Sequence, residues 1–193
     1  MMLEVKRLKK EFVAEIYQQH LINDFIPEEL KPLETIQRLM DQELYWCYGL
    51  YDEGVFVAYA FFVRATNHSQ TLIDYFAVCS GNRNKGYGGL FLGLLQQELS
   101  DVTSILFEVE SGAHAKEKEQ QMVCQKRLAF YRNNGLKDTK FHVDLFGIDM
   151  KVLYLMVQRE PTEVEISEAL DAIYDVLFGT KIHQKYVIVT KEE

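Results

Sequence analysis

The chain has few cysteines and no arrangement of cysteine and histidine that would bind a metal. Its three cysteines, Cys47, Cys79 and Cys124, are odd in number and lack the paired spacing of a zinc site. The five histidines are scattered, and none forms a His-x-x-x-His pair or lies beside a cysteine at ligand spacing. The sequence therefore predicts no metal site, and reduced thiols of the kind found in a cytoplasmic protein.

Long apolar runs and an excess of positive charge are also absent. The most hydrophobic stretch, residues 55–63, is much shorter than the roughly 20 residues that a membrane-spanning helix needs. Basic residues near the N-terminus are followed by Glu11 and Glu15, which interrupt the apolar region of a signal peptide. A formal net charge of −8 argues against nucleic acid as a partner and for cationic partners. We expect neither a membrane nor a nucleic-acid partner.

No internal repeat, low-complexity linker or Gly-x-Ser-x-Gly hydrolase motif is present. The length of 193 residues and the hydrophobic content of 48% are typical of one domain with a sizeable core. Composition alone therefore does not identify the function, and the prediction of function has to rest on local motifs.

The most informative segment is a glycine-rich loop at residues 83–89, Arg-Asn-Lys-Gly-Tyr-Gly-Gly. It follows an apolar run at residues 72–78 and precedes a helical pattern at 90–99. A strand, a glycine-rich turn and a helix in this order direct backbone N–H groups and the positive end of the helix dipole toward a phosphate. A side chain at Gly86 or Gly88 would obstruct a pyrophosphate or forbid the required dihedral angles. The loop predicts a phosphorylated cofactor.

Two common nucleotide-binding motifs do not fit. A Walker A loop needs Lys-Ser/Thr where Tyr87 and Gly88 stand, and a dinucleotide fingerprint needs a third glycine where Phe91 stands. The remaining pattern, Arg-x-x-Gly-x-Gly after a strand, resembles the acetyl-CoA loop of the GNAT N-acetyltransferase superfamily. A second segment at residues 130–136, Phe-Tyr-Arg-Asn-Asn-Gly-Leu, resembles the GNAT motif that ends the fourth helix of the fold.

The resemblance implies a GNAT-like acyl-CoA N-acyltransferase fold, an α/β fold with a central, mixed and mostly antiparallel sheet flanked by helices. Periodicity agrees. It predicts strands near residues 3–5 and at 44–51, 55–63, 72–78, 105–110, 141–146 and 150–157. Helical patterns at 8–20, from 27, at 90–99 and at 116–133 lie between them. On the first of these helices, Leu8, Phe12, Ile16 and His20 are the expected buried positions; on the second they are Leu33, Ile36 and Met40.

The C-terminal tail departs from the minimal GNAT pattern. Thr162 and Glu165 form a capping box before a helix that ends at Gly179, and residues 186–189 indicate a strand. We expect an acetyltransferase domain at residues 1–158 and an extension at 159–193 packed on the same domain. The extension could cover the acceptor site, join a homodimer interface or extend the core, and its apolar stripe favours the last two.

The resemblance also assigns the cofactor and its contacts. The co-substrate is acetyl-CoA, with backbone N–H groups at 76–78 polarising the thioester carbonyl and the loop binding the pyrophosphate. Arg83 and Lys85 either add charge there or are simply solvated. The expected cofactor-binding residues are Phe76, Ala77, Val78, Arg83, Asn84, Lys85, Gly86, Tyr87, Gly88 and Gly89.

Three residues are candidates for catalysis. By the resemblance, Tyr131 donates a hydrogen bond to the leaving thiolate as general acid, unless it only packs between helix and sheet. Glu108, slightly preferred, and Glu110 are expected on one face of a strand, where either could accept the proton of the amine, hold a cationic substrate or be solvated and idle. Asp74 and His114 are weaker candidates for the base. Cys79 could carry an acyl group, although a buried thiol is the favoured interpretation.

We therefore expect an N-acetyltransferase that transfers an acetyl group directly to a primary amine of a small molecule, for which the negative net charge favours a cation, or of a peptide. The alternative is a non-catalytic GNAT-fold module that binds acyl-CoA as a sensor or interaction partner. A larger acyl group remains open, as do the acceptor and a homodimer.

Overall fold

The computed structural model describes residues 2–113, 115 and 117–192. The chain divides into two compact units. The first comprises the residues up to Val63 together with Asp74–Glu98, and the second comprises Arg64–Ile73 together with the residues from Leu99 onward.

The first unit contains both strands and helices. Its strands are β1 (Leu3–Arg7), β2 (Tyr45–Asp52), β3 (Val55–Val63) and the end of β4 (Gln70–Val78). Its helices are α1 (Lys10–Ile16), α2 (Ile22–Asp24), α3 (Leu33–Asp41) and α4 (Tyr87–Glu98). A π-helical turn, Tyr17–Leu21, joins α1 to α2, and 3-10 turns occupy Pro27–Glu29 and Ser80–Asn82.

The β2–β3 hairpin forms where the sequence predicts it. Glu53 and Gly54 connect the strands, and both have positive φ angles, of 50° and 83°. Two consecutive positive φ angles match the right-handed twist of a hairpin, and glycine adopts such an angle without a steric penalty. The hairpin places Tyr45, Tyr59 and Phe61 in the core, each at most 1% exposed.

The N-terminal helix buries a different face from the one expected. Leu8 is buried, but its N–H donates to the carbonyl of Cys47 and so continues the pairing of β1 with β2. The helix starts only at Lys10, and its buried residues are Val13 and Ile16. Phe12, expected in the core, is 52% exposed.

Pro27 likewise starts a 3-10 turn and not the next helix. That helix, α3, begins at Leu33 after Pro32, and it buries Ile36 and Leu39. Leu33 and Met40, expected to be buried, are half-exposed.

The second unit contains the rest of the chain. Its strands are the start of β4, β5 (Ser104–Glu110), β6 (Lys137–Leu145), β7 (Ile148–Met156) and β8 (Val187–Lys191). Its helices are α5 (Lys118–Asn133), α6 (Glu163–Phe178) and α7 (Thr180–Tyr186). No sequence pattern indicated α7, which directly follows α6.

The tail elements pack within the second unit. The capping box forms as predicted: the Glu165 N–H donates to Thr162 Oγ1 at 3.2 Å, and the Thr162 N–H donates to Glu165 Oε2 at 2.8 Å. Helix α6 buries Ile166, Ala169, Leu170, Ile173 and Tyr174. Strand β8 pairs antiparallel with β6, with Val189 opposite Val143.

The strand order is β1-β2-β3-β4-β5-β7-β6-β8. Strands β4 and β5 pair in parallel, whereas β1–β2, β2–β3, β5–β7, β6–β7 and β6–β8 are antiparallel. The expected α/β fold with a mixed, mostly antiparallel sheet is therefore confirmed.

Candidate functional site

The glycine-rich loop connects β4 to α4 in the first unit. After the 3-10 turn, Asn84 and Gly86 have positive φ angles of 63° and 85°. A Cβ atom at Gly86 would meet nothing within 4 Å, so glycine serves there for its dihedral freedom and not to relieve crowding by the protein.

The loop ends in the first turn of α4. The Leu90 N–H donates to the Gly86 carbonyl at 3.2 Å, which makes Gly86 the residue that precedes the helix. Tyr87, Gly88 and Gly89 form the first turn. The N–H groups of a first helical turn have no acceptor within the helix, so they are available to an anion.

The two positively charged side chains of the loop, Arg83 and Lys85, form hydrogen bonds within the first unit. Arg83 donates through Nε to the Val78 carbonyl at 3.1 Å and through Nη2 to Asp24 Oδ1 at 2.5 Å. Lys85 Nζ donates to the Gly81 carbonyl at 3.0 Å and to Asn82 Oδ1 at 3.1 Å. Neither side chain is merely solvated, and both brace the loop.

The side chain of Tyr87 also helps to hold the loop in place. Its side chain is 9% exposed, and its hydroxyl donates to Asp52 Oδ2 at 2.7 Å. This bond ties the start of α4 to the end of β2. The sequence predicted a role for the backbone N–H of Tyr87 but none for its side chain.

The expected carbonyl-polarising segment is the end of β4. Phe76, Ala77 and Val78 are half-buried, and the Phe76 ring stacks on Phe91 of α4 with centroids 5.8 Å apart. The next residue, Cys79, donates its N–H to the Val57 carbonyl at 2.9 Å. The structure thus brings residues 76–78 and the loop together in the first unit.

Tyr131 lies on α5 in the second unit. Its ring is part-buried, with centroids 5.3 Å from Phe107 and 5.2 Å from Phe130. Burial raises the pKa of Tyr131 to about 12, against a smaller opposing effect of Arg127. The phenol therefore stays protonated across the physiological range and keeps an O–H that can donate.

Glu108 lies on β5 and is half-buried. It accepts a hydrogen bond from the hydroxyl of Tyr174 on α6, a residue that is 0% exposed. Burial, and then the charge of Glu108, raise the pKa of Tyr174 well above its ordinary value. Glu108 therefore has a hydrogen-bond partner in the tail.

Glu110 lies two residues further along β5 and lines a small open cavity of about 130 Å³. The amide of Gln120 donates to Glu110 Oε1 at 3.2 Å. Burial, together with the charge of Glu110 and a hydrogen bond to it, raises the pKa of the Cys124 thiol. Ser111 and Asp149 also line the cavity and are hydrogen-bonded to each other.

The weaker candidates have structural partners or are not described. Lys31 Nζ forms an ion pair with Asp74 at 2.7 Å, and the Asp74 side chain is 8% exposed. Tyr45 also donates to Asp74. His114 lies outside the described residues. Burial raises the pKa of Cys79 to about 11, which leaves little thiolate for an acyl-cysteine route.

Several partners of the candidate residues were missed from the sequence, among them Asp24, Asp52, Tyr59 and Tyr174. Each is a hydrogen-bond partner of a distant residue, so spacing along the chain gives no sign of it. Tyr174 alone left a trace, because a tyrosine within an apolar helical stripe needs an acceptor for its hydroxyl once it is buried.

The part of the chain that the structure describes contains neither a metal-binding cluster nor a membrane-spanning helix. Among residues 2–113, 115 and 117–192, no group of three or more His, Cys, Asp or Glu side chains could hold a metal ion. No helix in the part of the chain that the structure describes is long and apolar enough to cross a membrane.

Comparisons with known proteins yield structural matches only. No protein-family model matches the chain, and no curated protein matches it in sequence. A structure from Bacteroides thetaiotaomicron, assigned as an acetyltransferase of the GNAT family, has a TM-score of 0.73 and 17% identity over 92% of this chain and 99% of that one.

Two further matches have a stated acceptor. The ribosomal-protein-S18-alanine N-acetyltransferase of Escherichia coli has a TM-score of 0.58 and 17% identity, over 84% of this chain and 98% of that one. The spermidine N-acetyltransferase of Vibrio cholerae, solved with CoA and spermine, has a TM-score of 0.60 and 12% identity, over 80% and 95%. At these identities the likeness shows the fold, so this chain has the fold of GNAT acetyltransferases.

Proposed function

We propose that the chain is an N-acetyltransferase that moves the acetyl group of acetyl-CoA directly to a primary amine. One observation carries the proposal. Gly86, the last residue of the β4–α4 connection before the helix begins, has a positive φ angle of 85°. This geometry suits a pyrophosphate at the helix start. The acetyltransferase fold makes acetyl-CoA the phosphorylated ligand to test first.

In the proposed reaction the amine nitrogen attacks the thioester carbonyl, the carbon–sulfur bond breaks, and CoA leaves as a thiolate. Backbone N–H groups at residues 76–78 are proposed to stabilise the oxyanion, and one such donor typically contributes about 3 kcal/mol. Tyr131 is proposed to donate a hydrogen bond to the leaving sulfur. Its raised pKa, about 12, means that it stabilises the thiolate without transferring its proton completely.

The acceptor amine needs a group that takes its proton. An amine with a pKa of about 10.4 is neutral only about once in 10³ at pH 7, a deficit of roughly 4 kcal/mol. Glu108 and Glu110 are proposed for this task, or for holding the cationic amine. The hydrogen bond from Tyr174 supports an oriented Glu108, whereas the cavity beside Glu110 supports access for a ligand.

A cationic acceptor fits the charge of the chain. The net charge is −8, and the candidate bases are carboxylates. Proteins of the same fold act on spermidine and on the alanine of a ribosomal protein, so both a polyamine and a peptide N-terminus belong in the acceptor panel.

Calorimetric titration with acetyl-CoA, with free CoA alongside, tests the cofactor. We expect micromolar binding by the wild type and none by Gly88→Val, whose side chain would project from the first turn of α4. Gly93→Val is the matched control, since Gly93 lies in the same helix and a Cβ there would meet nothing within 4 Å. Normal binding by folded Gly88→Val would contradict the loop assignment.

An assay of thiol release with an amine panel then tests the reaction. Glu108→Gln and Glu110→Gln separate the two carboxylates, because the variant that lacks the base loses turnover while acetyl-CoA binding persists. Binding without thiol release from any amine would favour the non-catalytic acyl-CoA sensor. Tighter binding of a longer acyl-CoA than of acetyl-CoA would indicate that the longer acyl group is the one transferred.

A further inference from the structure

Asp24 contacts the cofactor loop directly, through Arg83. It ends α2, and its side chain is only 7% exposed. It accepts two hydrogen bonds, from Tyr59 Oη at 2.8 Å and from Arg83 Nη2 at 2.5 Å. A buried carboxylate with two donors is well satisfied and strongly held.

Asp24 lies shortly after a π-helical turn. The turn spans Tyr17–Leu21 and leads into α2, which Asp24 ends. His20, within the turn, packs its ring 6.3 Å from that of Tyr59.

Tyr59 acts only as a donor in this cluster. Burial first, and then its hydrogen bond to Asp24, raise the pKa of Tyr59 well above its ordinary value. The phenol therefore keeps its proton, and Asp24 remains the acceptor for both partners.

Arg83 carries the contact into the loop. Its Nε donates to the Val78 carbonyl at 3.1 Å, so one guanidinium connects α2, the last residue of β4 and the start of the loop. The next residue, Asn84, has a φ angle of 63°. The direction of the backbone N–H groups that follow depends on this junction.

We propose that Asp24 is a positioning residue for the cofactor: through Arg83 it fixes the loop in the conformation that binds the pyrophosphate of acetyl-CoA. The inference rests on the proposed function. It also changes the expected role of Arg83, which anchors the loop from behind and does not contact the phosphates as its principal task.

The first readout is cofactor affinity. Asp24→Asn keeps the shape of the side chain but removes its charge, and we expect the Kd for acetyl-CoA to rise about tenfold, the effect of one charge-assisted hydrogen bond. The rate at saturating acetyl-CoA should stay within about twofold, because Asp24 touches no reacting atom. Asp41→Asn is the matched control, since it removes the exposed ion pair with Lys10 in the same unit; its Kd should not change.

The pathway through Arg83 is tested by a double-mutant cycle. Arg83→Gln should raise the Kd as much as Asp24→Asn does, and the double variant should be no worse than either alone. Multiplied losses, or an Asp24→Asn variant that binds within twofold of the wild type, would overturn the proposal. If Asp24→Asn does not fold, Arg83→Gln carries the test through hydrogen–deuterium exchange of the ligand-free protein, because its side chain is 53% exposed and a lost phosphate contact would not change that exchange.

The second readout needs no cofactor. Hydrogen–deuterium exchange of the ligand-free protein should be faster at residues 79–89 in Asp24→Asn than in the wild type or Asp41→Asn. Unchanged exchange would refute loop anchoring. A wild type that binds no CoA species would instead remove the proposed function, while the exchange comparison would still decide whether Asp24 holds the loop.

Discussion

Replacing Tyr174 with phenylalanine tests the contact that joins the tail to β5. The ring of Tyr174 is 0% exposed, and phenylalanine keeps its shape, so the change removes only the hydroxyl that donates to Glu108. Hydrogen bonds to charged groups typically contribute about 1.5–3 kcal/mol, and the half-buried carboxylate would lose a donor. We expect the free energy of unfolding to fall by that amount.

Melting temperature converts this into a measurable shift. For a chain of this size, 1 kcal/mol corresponds to about 2–4 °C, so Tyr174→Phe should melt roughly 3–12 °C lower. Urea denaturation gives the free energy directly, and an unchanged m-value would show that the unfolded state is not the cause. Tyr186→Phe is the control, because Tyr186 is 43% exposed and should lose no more than about 0.5 kcal/mol.

A double-mutant cycle with Glu108→Gln assigns the loss to the pair. The neutral amide can still accept from Tyr174, but without the charge, so the two single changes should not add. If Tyr174→Phe costs no more than Tyr186→Phe, the hydroxyl does not stabilise the fold and Tyr174 does not hold Glu108 in place.

Three further predictions concern single residues. Tyr131→Phe should lower kcat by about 10²-fold, the lower end for a general acid, without changing the Kd for acetyl-CoA. Because the pKa of Tyr131 is about 12, wild-type turnover should not fall through its ionisation below roughly pH 11; unchanged turnover in the variant would exclude Tyr131. Alkylation of Cys79, followed by mass spectrometry, should accelerate about tenfold per pH unit from pH 8 to 10, since its pKa is about 11 and only the thiolate reacts. A flat profile would contradict its burial. Thr162→Ala should cost about 1 kcal/mol by removing the helix cap. Arg159 first, and then Thr162, lower the pKa of Glu165 from 4.5 to about 2, so the stability that the Glu165 carboxylate contributes is complete above 4.5 and is lost as pH falls toward 2. Both proteins should therefore melt lower in acid, but their difference should persist, because the bond from the Glu165 N–H to Thr162 Oγ1 does not titrate.

Local signals predicted much of the fold. The β2–β3 hairpin and the α6 capping box lie where the sequence places them, because each depends on residues within a few positions of one another. The loop before α4 was also predictable, since glycine spacing after a strand restricts the backbone directly.

Long-range partners could not be predicted in the same way. The bonds from Arg83 to Asp24 and from Tyr174 to Glu108 join residues far apart in the chain, and many carboxylates were equally plausible partners. The first helix shows a subtler failure. The sequence shows an i, i+4 pattern from Leu8, but Leu8 pairs with Cys47 and the helix begins only at Lys10. Its buried face then contains Val13 and Ile16 and not Phe12.

The pairing of β8 with β6 has a consequence for any shortened form of the chain. Strand β6 lies between β7 and β8, so removing the tail would leave a row of its N–H and C=O groups without a partner. Val143, buried opposite Val189, would lose its cover at the same time. An unprotected, apolar sheet edge is a template for pairing with other chains. A protein cut back to the part that resembles an acetyltransferase domain would therefore tend to aggregate, even with its cofactor loop intact.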